Sequence, residues 1–239
     1  MLAAKEADVI FLSVKAADAK GVLRKISGHT KGKLVISVMA AVSFKKLERA
    51  LPGSFILRAM PNISAMIGEA VTAYALGTGV KDQHSSTARA LFESFGTHVE
   101  VPESAIDAIT KISGSGPAYI VVIIDAVISE ALKAGHSRDV LFKLVTKTLA
   151  RNANLSKQHQ IHPAELGDIV TTPEGTTIAG IYDLKGSLGT SIMNAIEAAT
   201  QAFSWVGAKF ELEWPSFSDR IPSSLFVRLL YKLLWKSLK

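Results

Sequence analysis

The first hundred residues alternate between short runs of branched apolar side chains and segments with helical spacing. The runs at residues 8–14 (DVIFLSV) and 33–40 (KLVISVMA) are almost wholly apolar, as expected of parallel strands that are covered on both faces. A helix-type segment follows each run, and Ser43 stands where it would cap the second of these helices. The alternation predicts an α/β layer with a mostly parallel sheet. The same patterns predict strands at 54–60, 70–76 and 98–102, and a helix at 85–96 that ends at Gly96.

After Pro102 the pattern becomes helical, and no convincing strand occurs between residues 106 and 200. Pro117 stands where a first helical turn tolerates proline, and Gly135 is a typical left-handed helix end. Ser137 is placed to cap the next helix. This half is predicted to be an all-α domain whose apolar helices need a partner surface, which favours dimerisation. Further helices are predicted from about 176–178 to 186 and from 189 to 204.

The last part of the chain, residues 205–239, differs again in composition. Prolines and serines in residues 213–224 indicate a linker. Residues 225–239 (LFVRLLYKLLWKSLK) place apolar side chains on one face and a cation about every four residues, which predicts a basic amphipathic helix. Such a helix can contact an anionic membrane surface weakly, occupy a groove of a partner, or pack on its own domain. The sequence alone leaves these alternatives open.

Composition excludes several classes of function. Hydrophobic residues make up 48% and charged residues 20%, as in ordinary globular proteins rather than disordered ones. Much of the net charge of +6 lies near the end of the chain, and no basic patch interleaved with aromatic residues indicates nucleic-acid binding. The absence of cysteine excludes disulfides, zinc–thiolate sites and a cysteine nucleophile. Residues 1–18 lack the pattern of a signal peptide and no membrane span is predicted, so we expect a cytoplasmic protein.

Common catalytic and cofactor motifs are absent from the sequence. No G-x-G-x-x-G follows a predicted strand, so the usual opening of a dinucleotide-binding domain is missing. His159 and His162 form a close pair, which a polar surface loop explains better than a metal site does. Ser115 lies between Gly114 and Gly116, which we expect to form a tight turn, but no G-x-S-x-G nucleophile elbow surrounds it. Neither a metal site nor a serine nucleophile is predicted.

Residues 168–180 (DIVTTPEGTTIAG) place four threonines around Pro173 and Gly175 just before a predicted helix. Free N–H groups at a helix start, with hydroxyl groups beside them, can hold a small carboxylate or phosphate. An ordinary capped helix gives the same pattern. On the residues alone, the capped helix is the simpler explanation.

Six segments follow one another in an order that is specific to one enzyme family. They are residues 7–18 (ADVIFLSVKAAD), 35–48 (VISVMAAVSFKKLE), 56–70 (ILRAMPNISAMIGEA), 112–120 (ISGSGPAYI), 170–180 (VTTPEGTTIAG) and 192–200 (IMNAIEAAT). Together they resemble the pyrroline-5-carboxylate reductases. No single motif is decisive, but the ordered set covers about residues 6–200.

The resemblance implies both a fold and a reaction. The fold is α/β plus all-α, with an incomplete Rossmann-like cofactor domain at 1–103, a helical dimerisation and substrate domain at 104–204, and the linker and tail at 205–239. The reaction is the reduction of 1-pyrroline-5-carboxylate to L-proline, the last step of proline biosynthesis, with NADPH or NADH as hydride donor. An iminium carbon is already electrophilic, so the protein must orient two rings and hold a carboxylate rather than supply a nucleophile or metal. A homodimer or larger homo-oligomer is also implied.

The same resemblance assigns site residues by position. The substrate carboxylate is expected on Thr172 and on the backbone N–H groups of Gly175 and Thr176. The Thr177 hydroxyl is expected near the ring nitrogen, as the catalytic group. The cofactor is expected at the ends of the predicted strands, on Val14, Lys15, Ala40, Ala41 and Asn62.

Three departures from the family pattern stand out. The glycine-rich cofactor turn is missing, which suggests a chain truncated at its amino terminus. Glu174 replaces the first glycine of a pair; if its φ is positive, glutamate costs roughly 1–2 kcal/mol there, and its charge opposes a nearby carboxylate. After about Thr200 the sequence diverges. An alternative to an active reductase is therefore a non-catalytic family member that acts as a dimerisation partner or regulator of a full-length reductase.

Overall fold

The computed structural model describes residues 2–212 of the 239-residue chain, with side chains up to residue 204. It divides into two compact units. Of the described residues, one unit comprises those up to Pro117 together with 198–212, and the other is Ala118–Glu197. The linker and amphipathic helix predicted for residues 213–239 lie outside the described residues.

A five-stranded sheet forms the centre of the first unit. Its strands are Val9–Leu12 (β1), Leu34–Ser37 (β2), Phe55–Met60 (β3), Ala70–Leu76 (β4) and Gly96–Glu100 (β5). They lie in chain order, β1-β2-β3-β4-β5. Strands β1, β2 and β3 are parallel, β4 runs antiparallel to β3, and β5 is parallel to β4. The predicted α/β layer with a mostly parallel sheet is confirmed.

Helices cover both faces of this sheet. They are Leu2–Glu6 (α1), Ala16–Ile26 (α2), Phe44–Ala50 (α3), Asp82–Glu93 (α4) and Glu103–Ile109 (α5). Neighbouring residues of a strand point to opposite faces, so Val35 joins one core cluster and Ile36 the other. The first cluster includes Leu23 of α2 and Ile106 of α5, and the second includes Phe92 of α4. Burial on both faces explains why β2 has no exposed residue.

Two roles predicted for helix ends in this unit are wrong. Ser43 precedes α3, but its side chain caps nothing, and the first N–H of the helix, that of Phe44, donates to Glu103 Oε1 at 2.6 Å instead. Gly96 does not end α4, which stops at Glu93. It begins β5 with φ 155°, where a Cβ atom would lie 2.1 Å from the carbonyl oxygen of Ala70. Close approach of two backbones therefore explains this glycine.

Four helices follow: Gly116–Ala131 (α6), Arg138–His159 (α7), Pro163–Ile169 (α8) and Thr176–Leu212 (α9). Within the described residues, no strand occurs after β5, as predicted. Gly135 ends the segment after α6 with φ 82°, and the Ser137 hydroxyl accepts a hydrogen bond from Val140 N–H at 3.5 Å. Both predicted caps are confirmed.

Three details predicted for the helical half are wrong. Residues 176–186 and 189–204 belong to one helix, α9, in which Gly186 is an ordinary helical residue. Gly114 and Gly116 form no tight turn, because Thr110–Gly114 is a π-helical turn that joins α5 to α6. The loop predicted around His159 is short, since α7 reaches that residue and α8 begins at Pro163. The continuity of α9 through Gly186 has a physical reason: a glycine destabilises a helix by only about 1 kcal/mol, and the packing of the apolar residues around it outweighs this cost.

One helical stretch among the described residues, Glu103–Ala134, is long and apolar enough to cross a membrane by length and composition alone. Only 6% of its most apolar window is buried. Length and composition do not separate a membrane span from an apolar helix that another protein surface covers. The exposed apolar side chains of this stretch therefore need a covering surface.

Candidate active site

The carboxyl ends of β1, β2 and β3 lie at the same edge of the sheet, because these three strands are parallel. Val14 and Lys15 follow β1, Ala40 and Ala41 follow β2, and Asn62 follows β3. The structure thus brings all five predicted cofactor residues to one sheet edge. Ligands of open α/β sheets bind outside this edge. Lys15 is exposed there and the other four are half-buried.

The loop between β2 and α3 carries two of these residues in an unusual backbone conformation. Ala41 has φ 62°, in the left-handed region that a residue with a Cβ atom enters at a cost of roughly 1–2 kcal/mol. At the start of the loop, Val38 N–H donates to Leu12 O at 3.0 Å. At its end, Phe44 N–H donates to Glu103 Oε1. Both ends of the loop are therefore fixed by residues outside it.

A buried arginine lies beside the end of this loop. Arg58 of β3 is 2% exposed, and its guanidinium donates to two carboxylates of α5. Its Nη1 lies 3.0 Å from Glu103 Oε1, and its Nη2 lies 2.8 Å from Asp107 Oδ1. The two acids are four residues apart, so they project from one face of the helix. A buried cation needs such partners, because an unpaired charge is costly to bury.

Asn62 closes the loop that follows β3. Its Oδ1 accepts a hydrogen bond from Val71 N–H at 3.3 Å, which ties the end of β3 to the start of β4. A short 3₁₀ helix, Ile63–Ile67, follows it and ends at Gly68 with φ 76°. The side-chain oxygen of Asn62 is therefore engaged in the fold, whereas its amide N–H₂ group has no partner among the described residues.

The loop before α9 lies in the second unit and contains the predicted substrate residues. Gly175 N–H donates to Thr172 O at 3.0 Å, which closes a turn with Pro173 at its second position. Glu174, at the third position, has φ 61°, so the positive φ considered for this residue is confirmed. A type II turn requires that conformation and normally places glycine there. A Cβ on Gly175 would meet Thr172 Oγ1 at 2.5 Å, so this position needs glycine for space.

Thr176 and Thr177 form the first turn of α9, immediately after this turn. The first N–H groups of a helix have no partner within it, and they carry the positive end of the helix dipole. Thr172, Thr176 and Thr177 are exposed. The loop therefore presents hydroxyl and N–H donors together, which is the chemistry that a carboxylate ligand requires.

The histidine pair has a structural explanation. His162 Nδ1 accepts a hydrogen bond from Ala164 N–H at 3.2 Å, so its side chain caps α8. His159 is the last residue of α7. Within residues 2–212, no group of three or more histidine, aspartate or glutamate side chains is arranged to hold a metal ion.

Helices of the second unit expose many large apolar side chains. So many exposed large apolar side chains on one set of helices are typical of an interface with another protein surface. The residues concerned are Ile120, Val121, Val122 and Val127 of α6, Val140, Phe142 and Leu144 of α7, and Tyr182, Leu184 and Met193 of α9.

The sequence prediction misses Arg58, Glu103 and Asp107. One signal is present: an arginine interrupts an otherwise apolar strand, and a buried cation implies acidic partners. The sequence does not indicate which acids pair with it, because they lie 45 and 49 residues further along the chain.

Two family models match this chain. Residues 103–204 match the model described as pyrroline-5-carboxylate reductase dimerisation, and residues 2–41 match that of an NADP oxidoreductase, coenzyme F420-dependent. The pyrroline-5-carboxylate reductase of Synechocystis sp. is 38% identical over 208 residues, which cover 87% of this chain and 78% of that relative. The Arabidopsis thaliana enzyme of the same name is 36% identical over 199 residues, 82% of this chain and 72% of the relative.

Solved structures agree with these matches. Plasmodium falciparum pyrroline carboxylate reductase, crystallised with NADP bound, is similar with a TM-score of 0.81 and 32% identity, covering 85% of this chain and 79% of that one. The pyrroline-5-carboxylate reductase of Coxiella burnetii gives a TM-score of 0.77 at 29% identity, covering 85% and 77%. The fold is thus a Rossmann-like cofactor domain followed by a helical dimerisation domain, and the chain belongs to the pyrroline-5-carboxylate reductase family.

Proposed function

We propose that this chain reduces 1-pyrroline-5-carboxylate to L-proline with NADPH or NADH. The observation that carries the proposal is the 36–38% identity to pyrroline-5-carboxylate reductases, which extends over 82–87% of the chain. The reaction makes the chain an oxidoreductase that acts on a C=N bond.

The reduced nicotinamide, when bound, supplies a hydride to the imine carbon. The protein contributes orientation and charge complementarity, because the protonated imine is electrophilic without further activation. It must hold the substrate carboxylate, keep the ring nitrogen protonated or hydrogen-bonded, and present one face of the ring to the cofactor.

The turn before α9 supports the substrate role. Thr172 and the N–H group of Thr176 bind the carboxylate, with the dipole of a 37-residue helix behind them. The Gly175 N–H, also expected in this role, already donates to Thr172 O at 3.0 Å and so holds the turn instead. The Thr177 hydroxyl hydrogen-bonds the ring nitrogen and is the catalytic group. Glycine at 175 keeps the approach open, since a Cβ atom there would collide with Thr172.

The sheet edge supports the cofactor role. Ala40 and Ala41 are small enough for close approach of a planar ring, and the exposed ammonium of Lys15 suits the phosphates or hydroxyls of a dinucleotide. Val14 and Asn62 flank them at the ends of neighbouring strands. These residues fit a dinucleotide, although no glycine-rich turn of the G-x-G-x-x-G type is present in the sequence to hold the pyrophosphate.

The helical part supports self-association. Residues 103–204 match a dimerisation model, and the same residues expose a large apolar surface. Burial of that surface against a second copy stabilises the complex by about 25 cal/mol for each Å² of apolar surface removed from water. The functional form is therefore a homodimer or a larger homo-oligomer.

The test is turnover by the purified 239-residue chain with NADPH and 1-pyrroline-5-carboxylate, followed by the loss of reduced-nicotinamide absorbance. Thr177→Val should lower kcat about 100-fold, the scale of a lost proton-donating contact, whereas Thr177→Ser should retain most activity. Thr171→Val is the matched control, because the Thr171 hydroxyl already donates to Asp168 O at 2.9 Å. Turnover unchanged in Thr177→Val would remove this residue from the mechanism.

A second candidate function rests on the match of residues 103–204 to a dimerisation model. In this function the chain associates through its helical part with a full-length reductase and does not turn over substrate itself. Calorimetric titration with NADPH separates the two: millimolar cofactor without binding, together with co-purification with a full-length reductase, favours the second. Binding and turnover by the chain alone favour the first.

A further inference from the structure

Glu103 occupies a position that neither helix capping rules nor the sequence motifs predict. It is the first residue of α5, and its Oε1 accepts two hydrogen bonds from different elements. One comes from Arg58 Nη1 on β3 at 3.0 Å, and the other comes from Phe44 N–H at the start of α3 at 2.6 Å. A single carboxylate oxygen thus links three elements of the first unit.

The contact with Phe44 replaces a missing local cap. The first N–H groups of a helix need acceptors, and a serine just before the helix normally provides one. Ser43 stands there, but its side chain makes no capping bond. A carboxylate 59 residues away takes this role, and its negative charge also suits the positive end of the helix.

Arg58 holds that carboxylate in place. The guanidinium is almost completely buried, and Glu103 itself is 37% exposed. Because β3 is a central strand, Arg58 cannot move without disturbing the sheet. Asp107 takes the other guanidinium nitrogen at 2.8 Å, yet among the described residues it makes no hydrogen bond or ion pair with α3 or with the loop before it. The two acids share one arginine and differ in what else they touch.

The loop that ends at Phe44 is strained. Ala41 has φ 62°, and such a conformation persists only where the surroundings impose it. One end of the loop is held to β1 through Val38 N–H. The other end is held by Glu103 and by the burial of Val42 and Phe44 in the first core cluster, so loss of the Glu103 contact loosens the loop without releasing it.

We propose that Glu103 is a positioning residue for cofactor binding, which acts by holding the strained loop at Ala40 and Ala41 against the sheet edge. The proposal rests on the proposed function, since it takes this loop as part of the dinucleotide site. Glu103 touches neither cofactor nor substrate in this scheme. Its effect should therefore be seen in the Kd for NADPH, with little effect on the KM for the substrate at saturating cofactor.

The experiment compares Glu103→Ala with Asp107→Ala in the full chain, because each removes one of the two acids on Arg58. Glu103→Ala should raise the Kd for NADPH about three- to thirty-fold, the range expected for loss of a helix cap. Asp107→Ala should change it less than about twofold. Glu103→Gln, which keeps an acceptor for Phe44 N–H, should restore most of the affinity.

Amide hydrogen exchange in the cofactor-free protein gives a second readout. Glu103→Ala should lose protection at residues 44–47, and Asp107→Ala should not. Equal weakening of NADPH binding by both variants would overturn the proposal, since it would show a general effect of an unpaired Arg58. Unchanged binding and exchange in Glu103→Ala would also overturn it. A wild-type chain that binds no NADPH would refute the proposed function itself, a result distinct from either of these.

Discussion

Replacement of Glu174 by glycine should stabilise the protein and tighten substrate binding at the same time. Glu174 occupies the third position of the turn Thr172–Gly175 with φ 61°. A left-handed backbone costs a residue with a Cβ atom roughly 1–2 kcal/mol, and glycine avoids this cost. Glycine also has more conformational freedom in the unfolded chain, which lowers the free energy of unfolding by about 0.4–1 kcal/mol and offsets part of this gain. The net gain in the free energy of unfolding is centred on about 0.8 kcal/mol, within a range of about 0–1.6 kcal/mol.

The second effect comes from charge. The Glu174 carboxylate is exposed and belongs to the turn that contains Thr172 and leads into Thr176, the two residues proposed to bind the substrate carboxylate. Two like charges about 7 Å apart in water repel by about 0.6 kcal/mol, which corresponds to roughly threefold in affinity. Salt screens this repulsion. Glu174→Gly should therefore lower the KM for 1-pyrroline-5-carboxylate about two- to threefold at low ionic strength, and less at high salt.

Two control variants separate strain from charge. Glu174→Gln removes the charge and keeps the strain, so it should lower KM without a gain in stability. Gln160→Gly relieves a left-handed backbone elsewhere, since Gln160 has φ 53° at the end of α7, and it should raise stability without a change in KM. Stability is measured by urea unfolding followed by circular dichroism, at one protein concentration because association contributes to it.

Specific results would refute this reasoning. If Glu174→Gly is no more stable than Glu174→Gln, the residue is not strained in solution. If Glu174→Gln leaves KM and its salt dependence unchanged, the carboxylate does not oppose the substrate and the proposed binding turn is wrong.

Three further predictions concern tightly constrained positions. Gly175→Ala should raise the substrate KM at least about tenfold, because its Cβ would lie 2.5 Å from Thr172 Oγ1. The circular dichroism spectrum should stay unchanged. Gly96→Ala should destabilise by more than about 4 kcal/mol in urea unfolding, since φ is 155° and the Cβ would enter the backbone of β4. Burial raises the pKa of Tyr74, an effect that Arg89 partly offsets and Glu100 reinforces. The folded state thus keeps the phenol proton longer, so this contribution to stability is complete below pH about 10 and is lost as the pH rises further. The difference in urea midpoint between wild type and Tyr74→Phe should therefore shrink above that pH.

The hydrophobic pattern of the sequence predicted correctly those strands and helix ends that depend on a few neighbouring residues. Strand β4 is Ala70–Leu76, as predicted, and the helix end at Gly135 is also as predicted. Such features depend on local spacing and on backbone preferences that a few neighbouring residues determine. The single long helix α9 was missed, because a glycine inside a helical pattern looks like a terminus when the apolar surface that stabilises the helix is unknown.

The capping of α3 could not be predicted from local sequence. Ser43 has the right residue type at the right position, and the helix does begin immediately after it. The acceptor is chosen by tertiary packing, which brings Glu103 and Arg58 to the same place from 59 and 14 residues away along the chain. The capping rule predicts the start of α3 correctly but the acceptor of its first N–H wrongly. The Glu103 carboxylate is charged and held by Arg58, so it is a stronger acceptor than the Ser43 hydroxyl.

Backbone strain gives support for the two proposed binding loops that does not depend on sequence similarity. Within residues 2–212, the non-glycine residues with positive φ are Ala41, Gln160 and Glu174. Gln160 ends a helix, where the left-handed conformation is ordinary. Neither Ala41 nor Glu174 ends a helix, and each lies in a loop that the family resemblance independently assigns to cofactor or substrate. Strain of this kind concentrates at ligand sites, because the loop geometry that binds the ligand is retained against the local preference of the chain. The strained residues Ala41 and Glu174 therefore lie in the two loops proposed to bind cofactor and substrate.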